Sequence, residues 1–464
     1  MLTNARARAA ARRLVAALLA LLFMSAGPVA QRSPAAAACS EGPLPAQALA
    51  AAWFPEDGLL AWRAGRALLQ SGRSDEGLCF LERAQARLTG YPELSVEIGD
   101  ALAMRSDLAG AVAQWELAME QGASPEVVLP RLVRAYERRQ QWNDLQRTLA
   151  LWIELHPADS AARYQHALLR AARAPGSVLS ELRTLAQLNE ADSAGAATLV
   201  EIITTALEEG GEVFALARVG EFLLREGKPA LAESALLAAI DRNPGYGEAL
   251  AYLGLAHEQI GQPGGGEYAQ AVELAPNSAQ ARLLYGSFLL RAGELNKARL
   301  ELEQAWILDP HSATIAAERG RLEFADGDLA AAETWYAQSV QVAPQSVEAW
   351  LARAAFYIGN QLRVGSDGIA SAREAVALAP NDPRALDLLG LAWSLQGDLP
   401  LAERMYWRAL SADPNYALSY IHLGMLAEVR SDRPGARAYY QAALQVAESE
   451  AVGDLARAAL TRSP

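Results

Sequence analysis

The sequence predicts an all-α chain built from one helical hairpin repeated along its length. Three observations carry this reading. Aromatic residues make up only 7% of the chain, alanine is abundant, and β-branched residues never form the alternating runs that strands need. Prolines recur at Pro244, Pro276, Pro310, Pro344, Pro380 and Pro414, with spacings of 32, 34, 34, 36 and 34 residues. Small residues hold fixed distances ahead of them: Gly220, Gly286, Gly320 and Gly390 lie 24 positions earlier, and Ala239, Ala305, Ser339 and Ala409 lie five earlier. A globular composition of 464 residues has room for two to four compact domains. A period this regular replaces them with an extended α-solenoid.

The chain opens with Arg6, Arg8, Arg12 and Arg13 ahead of an uncharged run from Leu14 to Ala30. Residues 1–38 therefore read as a signal peptide or a short N-terminal membrane anchor, and either places the body outside the cytoplasmic membrane. Cys39 follows three alanines in what resembles a weak lipoprotein box. The other cysteine is Cys79, and the sequence leaves open a disulfide between the two, lipidation of Cys39, or free thiols. Residues 39–57 read as a linker. Removing residues 1–38 takes away five arginines and no acid, so the formal charge moves from −13 to −18. Such a surface excludes a nucleic-acid partner and leaves membrane contact to the N-terminus.

Residues 58–193 follow as four degenerate 34-residue units, anchored by Gly65, Gly77, Gly99, Ala111, Trp115, Tyr136, Pro157 and Ala167. Residues 194–212 break the period. Leu199, Ile202, Ile203 and Leu207 have helical spacing there, followed by Gly210 and Gly211, which predicts an extra unpaired helix and a flexible joint. Residues 213–448 hold seven units, and residues 449–464, with Leu455, Ala458, Ala459 and Leu460, supply a capping helix and tail. One unit is two residues short near Gly264, Gly265 and Gly266, and another two residues long between Gly359 and Gly368. Neutral drift in exposed loops is the expected cause of both, with a shaped lip on the groove as the alternative.

The unit resembles the tetratricopeptide repeat (TPR). From Pro383 to Tyr416, Leu386, Leu389, Gly390, Trp393, Ala402, Tyr406, Ala409 and Pro414 fill that family's eight signature positions. Positions 8, 20 and 27 must be small because helices A and B cross closely there, and proline at position 32 ends helix B. The resemblance implies a right-handed α-solenoid of about eleven TPR helix-turn-helix units and the function of a protein-interaction scaffold.

Sequence motifs for chemistry are missing. Neither Lys228 nor Lys297 sits in a phosphate loop, and no Gly-x-Ser-x-Gly nucleophile motif occurs. His156, His166, His257, His311 and His422 share no metal spacing, and Asp326 and Asp328 sit where a turn favours aspartate. The expectation is a protein that is not an enzyme and uses no cofactor or metal.

The resemblance places the binding surface on the A helices, at positions 2, 5, 6, 9, 12 and 13. In the N-terminal block these positions hold Trp62, Arg63, Arg66, Arg131, Arg134 and Arg138 among Glu93, Glu97 and Asp100, a mixed polar lining. In the C-terminal block they hold Tyr252, Leu255, Leu283, Leu284, Leu290, Phe324, Leu351, Ile358, Leu388, Leu391, Leu395, Ile421 and Met425. These thirteen are the candidate peptide groove, with packing between adjacent A helices as the competing role for each. The lysine and asparagine set of the family's chaperone-tail receptors is missing, as is the asparagine ladder of its glycosyltransferases. What remains is an adaptor outside the cytoplasmic membrane, holding a peptide or helical segment of a partner protein. An accessory subunit of cell-envelope export, glycan or pilus assembly is the alternative, with an enzyme or carbohydrate-binding module behind it.

Overall fold

In the computed structural model, residues 39, 46–188, 190–447 and 450–462 are described. The candidate export segment, residues 1–38, lies outside them. Every regular element among the described residues is helical. The chain divides into two compact units, one up to Ala235 and one from Leu236. The sequence reading placed its joint earlier, at 194–212, whereas this division falls inside a single helix.

The first unit opens with α1 (Ala46–Trp53), so the segment expected as a linker carries a helix. Three buried alanines, Ala48, Ala51 and Ala52, form its contact face, a signal too weak to separate from linker composition. Three regular hairpins follow: α2 (Gly58–Gln70) with α3 (Ser74–Gln85), α4 (Pro92–Met104) with α5 (Leu108–Glu120), and α6 (Pro125–Arg138) with α7 (Trp142–Leu155). Next come α8 (Ser160–Ala171), a 3₁₀ turn (Pro175–Val178) and the short α9 (Leu179–Ala186).

Helix α10 (Ser193–Arg225) contains the extra segment. It breaks at Gly211, where φ 73° and ψ −160° suit only glycine. The N-terminal half is not unpaired, as the sequence reading expected. It packs on α9, burying Ala196, Leu199, Ile203 and Ala206, because α9 has only eight residues and cannot cover Leu182 and Leu185 alone. Helix α11 (Pro229–Arg242) carries the division between units.

The second unit is more regular. It pairs α12 (Gly247–Gln259) with α13 (Gly265–Leu274), α14 (Ala279–Arg291) with α15 (Leu295–Leu308), and α16 (Ala313–Ala325) with α17 (Leu329–Val342). Then come α18 (Val347–Gly359) with α19 (Ile369–Leu378), α20 (Pro383–Leu395) with α21 (Leu399–Ala412), and α22 (Ala417–Val429) with α23 (Arg433–Val446). Helix α24 (Glu450–Arg462) closes the row against α23 and α22.

Local chemistry explains these boundaries. Ser278, Ser312 and Ser346 cap three A helices by accepting from the backbone N–H three residues on. Asp328, Asp398 and Asp432 do the same for B helices, which accounts for the acid at the Asp326 and Asp328 turn. Position 8 glycines receive the large residue of position 24 from helix B. A Cβ on Gly390 would stand 2.6 Å from Tyr406, one on Gly286 2.7 Å from Leu302, and one on Gly320 3.0 Å from Tyr336. The short turn before α13 has a packing cause as well, because the Gly264 backbone sits directly against that of Gly254. Loop drift does not account for it.

Candidate protein-binding face

Within the second unit, consecutive A helices α12, α14, α16, α18, α20 and α22 pack on one another, while B helices make their main contacts with A helices. A row whose A layer is the more closely spaced curves towards that layer, so its exposed side chains converge on one face.

The thirteen candidate residues divide sharply by exposure. Tyr252, Leu283, Leu290, Ile358 and Ile421 are buried among neighbouring helices and line no groove. The position alone does not decide this, since position 12 is buried at Leu290 and Ile358 but exposed at Phe324; the neighbouring A helix does. Leu255, Leu284, Leu351, Leu388 and Leu391 are half-buried, each keeping one flank open. Phe324, Leu395 and Met425 are exposed, at 39%, 41% and 41%. Val429, on the same helix as Met425, is 67% exposed and was not among the candidates. Val429 holds position 13 of its unit, so a strict reading of that column would have found it.

The open residues cluster towards the C-terminal end. Leu391 and Leu395 on α20 match Met425 and Val429 on α22 at positions 9 and 13, with Leu388 beside them on α20 and Leu351 on α18, and the three A helices pack in sequence. Charges on this layer are paired with each other. Arg291 meets Glu258 at 2.6 Å, Glu318 takes Arg321 at 2.7 Å and the Ser287 hydroxyl at 3.0 Å, and Arg384 reaches Glu348 at 3.4 Å. His422 contacts the buried Asp387 through Nδ1 at 2.9 Å and stacks on Tyr406.

The corresponding layer of the first unit is polar but internally satisfied. Glu97 accepts from Trp62 Nε1 at 2.6 Å and pairs with Arg66, whose guanidinium lies over the Trp62 ring. Asp100 takes Arg131 at 2.7 Å and Trp115 Nε1 at 3.1 Å. Both carboxylates thus bridge successive A helices. Hydrogen bonds donated to Glu97 and Asp100 raise the pKa of Arg66 and Arg131 respectively. Arg63, Arg134 and Arg138 stay exposed.

A metal centre has no candidate among the described residues. His156 faces Glu126 and His257 faces Glu267, single acids on adjacent helices. The Cys39 and Cys79 sulfurs are bonded to each other, with Cα atoms 5.6 Å apart. A thioether at Cys39 and this bond exclude one another, since both need the same Sγ.

The family model described as tetratricopeptide repeat matches residues 221–265 and 266–313. Residues 221–313 are thus similar to tetratricopeptide repeats. The matched TPR segments contain helices α12 to α15, and the hairpins α16/α17, α20/α21 and α22/α23 repeat their helix pairing. No curated protein matches the chain. Among solved structures, yeast Tom70 is similar at 15% identity over 88% of this chain and 95% of its own, with a TM-score of 0.46. The Cut9–Hcn1 hetero-tetramer of the APC/C matches at 12% identity, over 88% and 96%, with a TM-score of 0.45. A tetratricopeptide repeat protein from Parabacteroides merdae matches at 17% identity, over 54% and 98%, with a TM-score of 0.41.

Proposed function

We propose that this TPR protein is a non-catalytic adaptor, working outside the cytoplasmic membrane, that holds an amphipathic helix or extended segment of a partner protein against the A-helix face of its second unit. The carrying observation is the apolar strip of Leu351, Leu388, Leu391, Leu395, Met425 and Val429 on α18, α20 and α22, with charged neighbours such as Glu348 and Arg384 paired to each other. Half-buried leucines on rigid helices lose little side-chain freedom when covered, so their remaining apolar surface is available to binding.

The binding test is direct. Changing Leu391, Leu395 and Met425 together to serine is expected to weaken capture of envelope proteins by 10-fold or more, estimating about 1 kcal/mol for each truncated contact. Circular dichroism should be unchanged, because Leu395 and Met425 are exposed and Leu391 packs only on the edge of its cluster. Equal capture by the folded triple variant would sink the reading.

The proposed address rests on the arginine-flanked apolar run near the N-terminus and is supported by the Cys39–Cys79 bond, which persists in oxidising compartments. Protein recovered from an envelope fraction should lack the N-terminal segment and gain the mass of two hydrogens on reduction. Recovery in the cytosol with the segment intact and both thiols free would refute the address. An acyl chain on Cys39 would refute the bond.

A further inference from the structure

We propose that α1 is a redox-released cap on the first repeat, held in place by the Cys39–Cys79 bond. The helix has eight residues, too few to sustain itself in water. Its buried side chains are the methyl groups of Ala48, Ala51 and Ala52. Ala48 and Ala51 lie in one apolar cluster with Ala61, Ala64, Leu68 and Leu81, at the start of the described helices.

Beneath the cap lies Arg83. Its Nη2 donates to the Ala51 carbonyl, and the guanidinium stands 5.0 Å from the centroid of Phe80. Nε and Nη1 are buried without a hydrogen-bond partner. Burial, with Arg87 nearby, pushes the Arg83 pKa below its ordinary value. A half-buried cation with two buried, unsatisfied donor nitrogens opposes the docked state and regains water when α1 leaves. The ion pair of Arg87 with Glu56 in the following loop is exposed and holds little. The covalent tether, which joins residues 40 apart in sequence, adds to these contacts in holding α1 docked.

A dithiol reductant supplies the release step. One thiolate attacks Cys79 Sγ, the more exposed sulfur by residue, and Cys39 leaves as a thiolate. The second reductant thiol then displaces Cys79, so the reductant departs as a cyclic disulfide. Two electrons and two protons have passed to the protein, which now holds two free thiols. Without the tether α1 undocks, Arg83 is hydrated, and the apolar end of the first repeat is uncovered.

Hydrogen exchange on the full chain, with and without dithiothreitol, tests this. Reduction is expected to speed exchange at residues 48–53 by about 100-fold while α6 to α24 stay unchanged. In the reduced chain, Arg83→Met is expected to slow that exchange again by about 10-fold, because it removes the two buried, unpartnered donors that favour release. Unchanged exchange at 48–53 after both thiols titrate as free would overturn the proposal. So would acceleration spread equally over α1 to α5, which marks a bond that merely stabilises the fold, or an Arg83→Met chain that exchanges like its reduced parent.

Discussion

Replacing Gly390 with alanine is expected to lower the stability of the second unit by about 2 kcal/mol, within the range for overpacking a filled core. The added methyl would meet Tyr406 Cε1 at 2.6 Å and Cδ1 at 2.8 Å, with the Ala402 carbonyl oxygen at 3.2 Å. Tyr406 is 1% exposed and has nowhere to move. The cost therefore falls on the distance between α20 and α21, which the position 8 glycine and the position 20 alanine set together. The chain contains its own control. In the α18/α19 hairpin position 8 is Ala354, and position 24 is Ala372, so an alanine is accepted where the facing residue is small. Accordingly, Gly390→Ala should cost under about 0.5 kcal/mol in a Tyr406→Ala background, although Tyr406→Ala alone is strongly destabilising. Urea denaturation of the four proteins measures the coupling. Additive costs would show that the methyl disturbs something other than Tyr406.

Close-packing constraints of this kind are what made the fold readable. A residue that touches a backbone admits only glycine or alanine, so Gly286, Gly320, Gly390 and Gly424 mark helix crossings without further context. Proline at the end of each B helix marks the unit boundary for an equally local reason. Side-chain exposure is set differently. Leu391 and Ile421 occupy neighbouring columns of the same repeat frame, yet one keeps an open flank and the other is buried, because the residues of the next A helix decide which surface is covered. Repeat numbering contains no information on that neighbour. The cap helix α1 escaped notice for a third reason: an alanine-rich octapeptide has neither period nor caps strong enough to announce a helix, and its position comes from the tether at Cys39. The pairing of α9 with α10 was hidden likewise, since the shortness of α9 depends on where Pro175 restarts the chain.

Asp387→Ala is expected to destabilise the second unit by about 3 kcal/mol, the loss typical of an uncompensated buried polar group. Asp387 is 4% exposed, at position 5 of α20. In this unit that column is otherwise Ala251, Leu283, Ala317, Leu351 and Ile421, so an acid here breaks an apolar seam. Its Oδ1 accepts from the fully buried Ser419 hydroxyl at 2.7 Å and meets His422 Nδ1 at 2.9 Å, both on the next A helix. Alanine would strand the hydroxyl and one imidazole nitrogen in a seam closed to water, and it would leave a void. The loss belongs to the stranded partners more than to the worth of the contact. Asp387→Leu with Ser419→Ala should therefore recover most of it, since Leu283 and Ile315 form an apolar version of the same junction between α14 and α16. Recovery by the double variant would identify the acid as a way of fixing how α22 seats on α20, the two helices that carry most of the proposed binding strip. Failure of the double variant, with Asp387→Ala as costly as expected, would mean that the His422 contact holds the seam and that the hydroxyl is incidental. Urea denaturation of the single and double variants, with capture of the partner measured on each, separates these outcomes.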